Sequence, residues 1–307
     1  MTISQMPVQR PQNKFTAVGR ACLILLAGIG LHSEAMAAPP GELPYGAYDP
    51  EGAYSDDKAL TIEHVFLPWE DVALGSLQEA DVYALERNRA LLITVEPWTW
   101  TRDKRNTADF LYNGITEGYY DSNMRSVCQV ISTLQSPVSV RWGHEMETED
   151  GQFIWSAWKP ENYITSYKRM IDICRKEAPN INVVWSPIGL KNAKDYYPGD
   201  DYVDLVGLSI FGYEAWEKAI LGNARSYPEL LTERYNNVKD LGKPVVVAEL
   251  GYTGTAEYVA SWEAEVSVVR PEMPLLVGSV YFNQAEVYPW PDNFPQPDWR
   301  LANRVTP

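Results

Sequence analysis

The sequence alternates short apolar runs with amphipathic segments over most of its length, and this alternation restricts the possible fold more than any other feature. Eight runs recur in the order PYGAYDP, EHVFLPW, ALLITVEPW, VSVRWGHE, INVVWSP, VDLVGLSIF, PVVVAELG and LVGSVYFN. Within most runs apolar residues follow one another without regular polar interruption, which indicates strands buried on both faces. Such strands belong to parallel sheets covered by crossover helices. Eight units predict a single-domain α/β fold, a (β/α)8 TIM barrel, with a doubly wound open sheet as the alternative.

Residues 1–37 precede this pattern and are typical of an export signal. A basic region is followed by the apolar run ACLILLAGIGL and then by small residues that end at Ala37. This run is shorter than the roughly 20 residues that cross a bilayer. We therefore expect a signal peptide over residues 1–37 and a barrel with a proline-rich C-terminal tail over residues 38–307. The expected location is secreted or periplasmic, without membrane contact after cleavage, and an uncleaved anchor is the alternative.

The charge balance restricts the partners. The chain has 26 Lys and Arg residues against 41 Asp and Glu residues, which gives a formal net charge of -15 at pH 7. A chain this acidic repels nucleic acids and anionic lipids. We therefore expect no nucleic acid partner, a neutral or cationic ligand, and a monomer.

The cysteines suggest a disulfide. Cys22 lies in the signal, which leaves Cys128 and Cys174 in helical patterns on either side of the run VSVRW. Exported proteins meet an oxidising environment, where such a pair forms a bridge. A bridge that closes a loop of this length would contribute about 4 kcal/mol to stability. Two buried free thiols are the alternative.

Polar and aromatic residues follow the apolar core of most runs. In a barrel, the carboxyl ends of the strands form the face that binds ligands. Aromatic rings with a polar tip can stack on sugars while polar neighbours bind hydroxyl groups, although tryptophan is also common core material. The substrate contacts predicted at strand ends are Trp98, Trp185, Tyr213, Tyr281 and Asn283.

Metal chemistry does not fit the motifs. His144 and Glu145 match the start of the HExxH zinc motif, but Thr148 stands in the position of the second histidine. This excludes a zinc site with two histidines on one helix. The acidic segment at residues 199–204 could hold calcium, but an acidic surface loop is the simpler interpretation. We expect neither a metal nor a cofactor.

Two glutamates remain as candidates for chemistry, because no GxSxG motif is present and few histidines are available as a base. Glycoside hydrolysis needs two carboxyl groups that face one bond, a protonated acid and a nucleophile or base. Glu145 ends the fourth run and Glu249 lies near the end of the seventh. Each follows a hydrophobic strand that would hold it rigidly, as preorganised catalysis requires.

These elements resemble glycoside hydrolase family 26, a family of retaining enzymes in clan A with a (β/α)8 barrel. The resemblance covers most of residues 44 to 284, and the GAYDP, WSP and PGDDYVDLVGLS segments contribute to it. Its specific part is an R-x-x-HEM element followed by an aromatic stretch, here Arg141, His144, Glu145, Met146, Phe153, Trp155 and Trp158.

The resemblance implies a role for each matching residue. Glu145 would be the acid/base and Glu249 the nucleophile, with His144 positioning the sugar or the acid. Arg141 would favour ionisation of the nucleophile, and a core ion pair is the alternative interpretation of this arginine. Tyr213 would donate a hydrogen bond to the nucleophile, unless Phe211 occupies that position. Trp155, from the aromatic stretch, is a further predicted substrate contact.

The substrate is less specified. Mannan-cleaving members of the family share the stretch HEM-N-G-x-WFWWG, whereas this chain continues HEM with ETEDGQFIWSAW and has Glu147 where Asn is common. We therefore expect a secreted retaining endo-β-glycanase that favours β-1,3-1,4-glucan, with an endo-β-1,4-mannanase as the second possibility. A non-catalytic polysaccharide-binding barrel for exopolysaccharide export would keep the aromatic cleft but would not need both glutamates.

Overall fold

Eight parallel strands, each paired with its neighbours in the chain, close into a barrel in the order β1 to β8. The computed structural model describes residues 38–70, 72–99, 107–148 and 152–307, and the predicted export signal lies outside these residues. The predicted (β/α)8 barrel is confirmed, and the open sheet is excluded. The strands are β1 (Tyr45–Tyr48), β2 (Leu60–Pro68), β3 (Ala90–Glu96), β4 (Val138–Trp142), β5 (Asn182–Trp185), β6 (Leu205–Tyr213), β7 (Val245–Thr253) and β8 (Leu276–Phe282).

Helices connect the strands and cover the outside of the barrel. They are α1 (Gly75–Glu86), α2 (Ala108–Thr116), α3 (Asp121–Ile131), α4 (Pro160–Glu177), α5 (Glu214–Ile220), α6 (Tyr227–Val238) and α7 (Ala256–Glu263). Proline lies in the first turn of α4 and of α6, and Ser226 forms a reciprocal capping box with Glu229 at the start of α6. Within the described part of the chain, no helix is both long and apolar enough to span a bilayer.

The barrel interior has an apolar layer below a polar layer. Its apolar layer is a separate buried cluster built from several strands, namely Leu92, Val184, Val246, Ala248 and Val280. Side chains alternate between the two faces of a strand, so the residue two positions beyond Leu92 of β3 or Val184 of β5 also points inward. These next residues are Thr94 and Ser186, both buried. The polar layer therefore lies toward the carboxyl ends of the strands.

A disulfide joins the two helices that flank β4. Cys128 in α3 and Cys174 in α4 form the predicted bridge, with an S–S distance of 1.98 Å. Arg169 of α4 adds a two-point ion pair with Asp121 of α3, with both N···O distances at 2.8 Å. The strand that leads to Glu145 is thus held between two helices that are linked to each other.

After β8, residues 286–298 form a loop that we name the cap loop. Its stem is closed by an antiparallel bridge between Ala285 and Asp298 and by a hydrogen bond of 2.9 Å from the Glu286 amide to the Pro297 carbonyl. Beyond the loop, Arg304 fastens the tail by donating hydrogen bonds to the Tyr252 hydroxyl at 2.8 Å and to Glu263 at 3.0 Å. The proline-rich tail is therefore anchored to the barrel at both ends of the cap loop.

Candidate active site

The two glutamates predicted to be catalytic lie at the ligand-binding face of the barrel. Glu145 comes three residues after the end of β4, and Glu249 lies in β7 level with Ser209 of β6. Both side chains are almost fully buried. Burial and rigid support are the conditions under which a carboxyl group can be held in a chosen protonation state.

A bulge in β7 places Glu249 inside the barrel. The pairing register with both neighbouring strands shifts around Ala248. As a result, two consecutive side chains face inward, since Ala248 belongs to the apolar interior cluster and Glu249 forms an ion pair with interior Arg141. Bulges commonly redirect a side chain in this way next to functional sites.

Arg141 of β4 connects three other strands through its guanidinium group. Its Nε donates to Thr94 Oγ1 of β3 at 2.7 Å, its Nη1 donates to Ser186 Oγ after β5 at 3.2 Å, and its Nη2 donates to Glu249 Oε1 of β7. On the far side of Thr94, His64 Nε2 lies 2.7 Å from the same hydroxyl oxygen. The fully buried arginine therefore holds the Glu249 carboxylate at a fixed point by a charge-assisted hydrogen bond.

The backbone around Glu145 adopts an unusual conformation. Gly143 and Glu145 both have left-handed φ angles, 55° and 54°, and a non-glycine residue rarely adopts this region. The Glu145 amide donates to the Ser186 carbonyl at 2.8 Å, and Thr148 Oγ1 donates to the Glu145 carbonyl at 3.3 Å. These bonds hold the strained turn, and such strain is typical of active sites.

The two carboxyl groups have different environments. Burial and the nearby charge of Glu249 raise the pKa of Glu145 to about 8. Burial also raises the pKa of Glu249, but the Arg141 guanidinium opposes this rise by its charge and its hydrogen bond. Arg141 is the main opposing influence on Glu249 and only a minor one on Glu145. Glu249 therefore ionises first, and near neutral pH Glu145 keeps its proton.

His144 is a neutral residue next to the nucleophile candidate. Burial and the charge of Arg141 lower the pKa of His144 well below its usual value. Its Nε2 lies 3.6 Å from Glu249 Oε1, and its ring packs edge-on against Phe153 at a centroid distance of 4.7 Å. Trp155 Nε1 donates to the His144 carbonyl at 2.6 Å. This neutral imidazole can exchange hydrogen bonds with a sugar without adding charge.

Four of the predicted sugar contacts lie in buried, packed positions in this structure. Trp155, Trp185 and Tyr281 are fully buried, so neither face of these rings is open to a sugar. Trp185 packs against Tyr197, and the Tyr281 hydroxyl donates to the Trp299 carbonyl at 2.6 Å. Asn283 is also buried and binds Asp49 Oδ1 at 2.6 Å and the Leu301 amide at 2.9 Å. Trp185 and Tyr281 come one residue before or after inward-facing residues, and therefore point toward the helices.

Tyr213 is also placed differently from the prediction. Glu249 is level with Ser209, and Tyr213 lies four residues further along β6, level with Thr253. At about 3.3 Å per residue, this puts Tyr213 about 13 Å beyond the nucleophile candidate along the strand. Its ring packs against Trp290 and Phe294 of the cap loop and against Trp299. Phe211, the alternative, lies closer to Glu249 but has no hydroxyl to donate.

Trp98 is a predicted sugar contact that remains available to a ligand. It lies in a cluster with Glu96 and Tyr288 that sequence patterns did not reveal. It is only partly buried and packs against Tyr288 of the cap loop, with nearly parallel rings at 6.3 Å. Glu96 at the end of β3 lies beside it, and burial raises the pKa of this carboxyl to about 7. Burial raises the pKa of Tyr288, and nearby Glu96, Glu286 and Glu145 raise it further. Tyr288 therefore lies over the acidic centre, a contact that no local motif predicts.

A cleft of about 680 Å³ opens beside Glu145. Its walls come from the segment after β5, the end of β6, helix α6 and the cap loop. Glu147 supports the wall formed by the segment after β5, because its Oε1 accepts hydrogen bonds from the Gly189 amide at 2.8 Å and the Leu190 amide at 3.2 Å. Glu147, which stands where Asn is common in mannan-cleaving members, thus has a structural contact here. In the described residues, no group of three or more His, Cys, Asp or Glu side chains is arranged to hold a metal ion.

The sequence profile described as "Glycosyl hydrolase family 26" matches residues 112–262, the region that contains the R-x-x-HEM element and Glu249. This match supports the assignment of the chain to glycoside hydrolase family 26. Endoglucanase H of Acetivibrio thermocellus is 24% identical over 251 residues, which cover 76% of this chain and 26% of the relative. A mannan endo-1,4-beta-mannosidase of Thermothelomyces thermophilus is 28% identical over 41% of this chain and 24% of its own length. The chain thus spans about a quarter of these relatives.

Solved structures of the family share the fold. The family 26 β-mannanase from Bacteroides ovatus superposes with a TM-score of 0.57 and 16% identity, covering 79% of this chain and 80% of the mannanase. The family 26 protein GH26C from Muricauda sp. superposes with a TM-score of 0.59 and 13% identity, covering 79% of each chain. At these identities the similarity shows the barrel architecture and does not extend to the substrate.

Proposed function

We propose that the chain is a retaining endo-β-glycanase that hydrolyses a β-1,4-containing polysaccharide by double displacement. The observation that carries this proposal is the asymmetry of the two glutamates. Glu249 is held by a buried arginine that favours its carboxylate form, while Glu145 keeps its proton up to about pH 8. A retaining glycosidase needs one ionised nucleophile and one protonated acid at the same pH.

In the first step, Glu249 attacks the anomeric carbon and Glu145 donates its proton to the leaving oxygen. This breaks the glycosidic bond and leaves a glycosyl ester on Glu249. In the second step, Glu145 removes a proton from a water molecule that attacks the same carbon, which releases the sugar and restores both carboxyl groups. Arg141 stabilises the Glu249 carboxylate when it departs, and His144 offers a neutral hydrogen-bonding group beside it.

The favoured substrate is β-1,3-1,4-glucan, because the chain lacks the HEM-N-G stretch of mannan-cleaving members. Mannan is the second candidate, and the similarity to a mannan endo-1,4-beta-mannosidase favours it. The disulfide and the signal-like residues 1–37 support action outside the cytoplasm. The alternative of another class is a barrel that binds polysaccharide without cleaving it.

Reducing-end release separates these alternatives. Barley β-glucan, lichenan, galactomannan, carboxymethylcellulose and curdlan are each incubated with the native protein, with Glu145→Gln and with Glu63→Gln. Glu63 is a matched control, since it is equally buried but pairs with Arg89 at 2.8 Å. We expect cleavage of one polymer by the native protein and by the control, and none by Glu145→Gln. Binding without cleavage by all three proteins would support the non-catalytic barrel.

The nucleophile has its own test. Glu249→Ala should lose turnover of an aryl β-glycoside but accept azide to give an α-glycosyl azide, because azide enters from the face that the glutamate occupied. Recovery of the β-anomer would contradict this assignment.

A further inference from the structure

The cleft lining carries both acidic and basic groups. The carboxyl groups of Glu145 and Glu286 belong to it, and Glu286 also acts on the pKa of Glu249. The lining also includes two arginines, Arg225 just before helix α6 and Arg234 within it. Much of the remaining wall is apolar, from residues such as Ile188, Leu190 and Leu230.

The two arginines are positioned by different contacts. Arg225 is clamped by the buried carboxylate of Glu217, which accepts from Arg225 Nε at 3.0 Å and from the Arg225 amide at 2.7 Å. Arg234 has a side chain that is only 14% exposed. Burial lowers the pKa of Arg234, the charges of Glu233 and Glu147 oppose this fall, and the charge of Arg225 adds to it. Glu217 neutralises Arg225, so Arg234 is the less well compensated of the two cations.

For Arg234 the protein supplies only a loose ion pair. Glu233 lies between the two guanidinium groups, with N···O distances of 3.9 Å to Arg225 and 3.5 Å to Arg234. Charge-assisted hydrogen bonds are shorter, about 2.7 to 2.9 Å. The Glu233 side chain is 48% exposed and does not belong to the cleft lining. Guanidinium groups arranged in this way match a planar carboxylate from a ligand.

The position of Glu145 defines which part of a substrate meets these arginines. In the proposed reaction Glu145 protonates the leaving oxygen. The leaving group therefore lies beside Glu145, on the side that faces away from Glu249. The cleft extends from Glu145 toward α6, and among the described residues its lining includes neither Arg141 nor Glu249. The arginines therefore lie on the leaving-group side.

We propose that the leaving-group side of this cleft binds a sugar that carries a carboxylate, such as a uronic acid, through Arg225 and Arg234. This inference rests on the proposed glycanase function and names its substrate class more closely. The net charge of -15 does not oppose it, because at physiological salt charges more than about 8 Å apart are largely screened. The local guanidinium pair then decides the contact, and the overall charge affects mainly the rate of encounter.

A matched pair of polymers tests the proposal. The polymer that the enzyme cleaves is partly oxidised at C6 to uronic acid, and half of this material is reduced back to the neutral polymer. We expect the native enzyme to show a kcat/KM at least tenfold higher on the oxidised polymer, with uronic acid enriched among the first sugars at the new non-reducing ends. Arg234→Gln should reduce this ratio toward one, and Arg234→Lys should give an intermediate ratio.

Arg175→Gln is the control, because Arg175 forms an exposed ion pair with Asp204 and does not line the cleft. It should keep the native ratio. Equal cleavage of both polymers by the native enzyme, or a preference that survives in Arg234→Gln, would overturn the proposal without affecting the glycanase function. If neither polymer is cleaved, calorimetry with oxidised and reduced oligosaccharides decides, since equal affinities would also overturn it.

Discussion

Replacement of Arg141 by methionine should change both the activity and the stability, and the structure indicates by how much. Methionine fills much of the same space but removes the three hydrogen bonds to Thr94, Ser186 and Glu249. Removal of one partner from a buried ion pair costs about 3 to 5 kcal/mol. A nearby opposite charge lowers the pKa of a carboxyl group by about 1 to 3 units, so the pKa of Glu249 should rise by about two units in this variant.

The direction of the pH effect follows from the role of Glu249. The nucleophile must be ionised, so a higher pKa keeps it protonated over a wider range and moves the acid limb of kcat/KM to higher pH. A shift of about two units reduces kcat/KM about 100-fold on the acid side. Arg141→Lys keeps the charge but not the planar fork, and it should shift the acid limb by a smaller amount.

The assay is a pH profile of kcat/KM from pH 4 to 9, together with urea unfolding. Arg169→Gln is the matched control, because it breaks a two-point arginine pair with Asp121 that is partly exposed. Exposed pairs contribute about 1 kcal/mol or less, so the control should keep the native pH profile. An acid limb in Arg141→Met within half a pH unit of the native one would refute the proposed role of the arginine.

Three further predictions follow from the site and the fold. The base limb of kcat/KM should lie near pH 8, because Glu145 must be protonated to donate, and an activated aryl leaving group should weaken this limb. Reduction of the bridge between Cys128 and Cys174, which are 46 residues apart, should lower the unfolding free energy by about 4 kcal/mol in urea titrations, and unchanged stability would contradict a structural role. Tyr288→Ala should lower kcat/KM about tenfold by loss of a cleft wall, whereas Tyr119→Ala, at an exposed ring, should leave it unchanged.

The sequence predicted the barrel because strands buried on both faces have a distinctive composition. The runs that contain β3, β7 and β8 are apolar without alternation, and this pattern requires helices on the outside and a packed interior. Glu145 was predicted for a related reason, since a charged residue directly after such a run lies at the strand end. Glu249 lies within β7, which continues to Thr253.

Other parts of the site depend on information that is not local. The bulge at Ala248 has no glycine or other marker in the sequence, so the inward direction of Glu249 becomes visible only from the pairing of three strands. Tyr288 is far along the chain from Trp98, and only the path of the cap loop brings them together. In contrast, the outward direction of Trp185 and Tyr281 follows from the sequence, because the two-residue period of a strand already places them on its outer face.

The hydrogen bonds that link Arg141 of β4 to β3, β7 and the end of β5 also affect how the protein folds. The arginine belongs to β4, in the first half of the chain, while its counter-charge on β7 is made much later. A fragment that ends before β7 would have to leave this guanidinium in water or bury it unpaired, and the second option costs several kcal/mol. Closure of the sheet and neutralisation of Arg141 are therefore one cooperative event. Separately expressed halves of the barrel should then be unstable alone and gain order only when they meet.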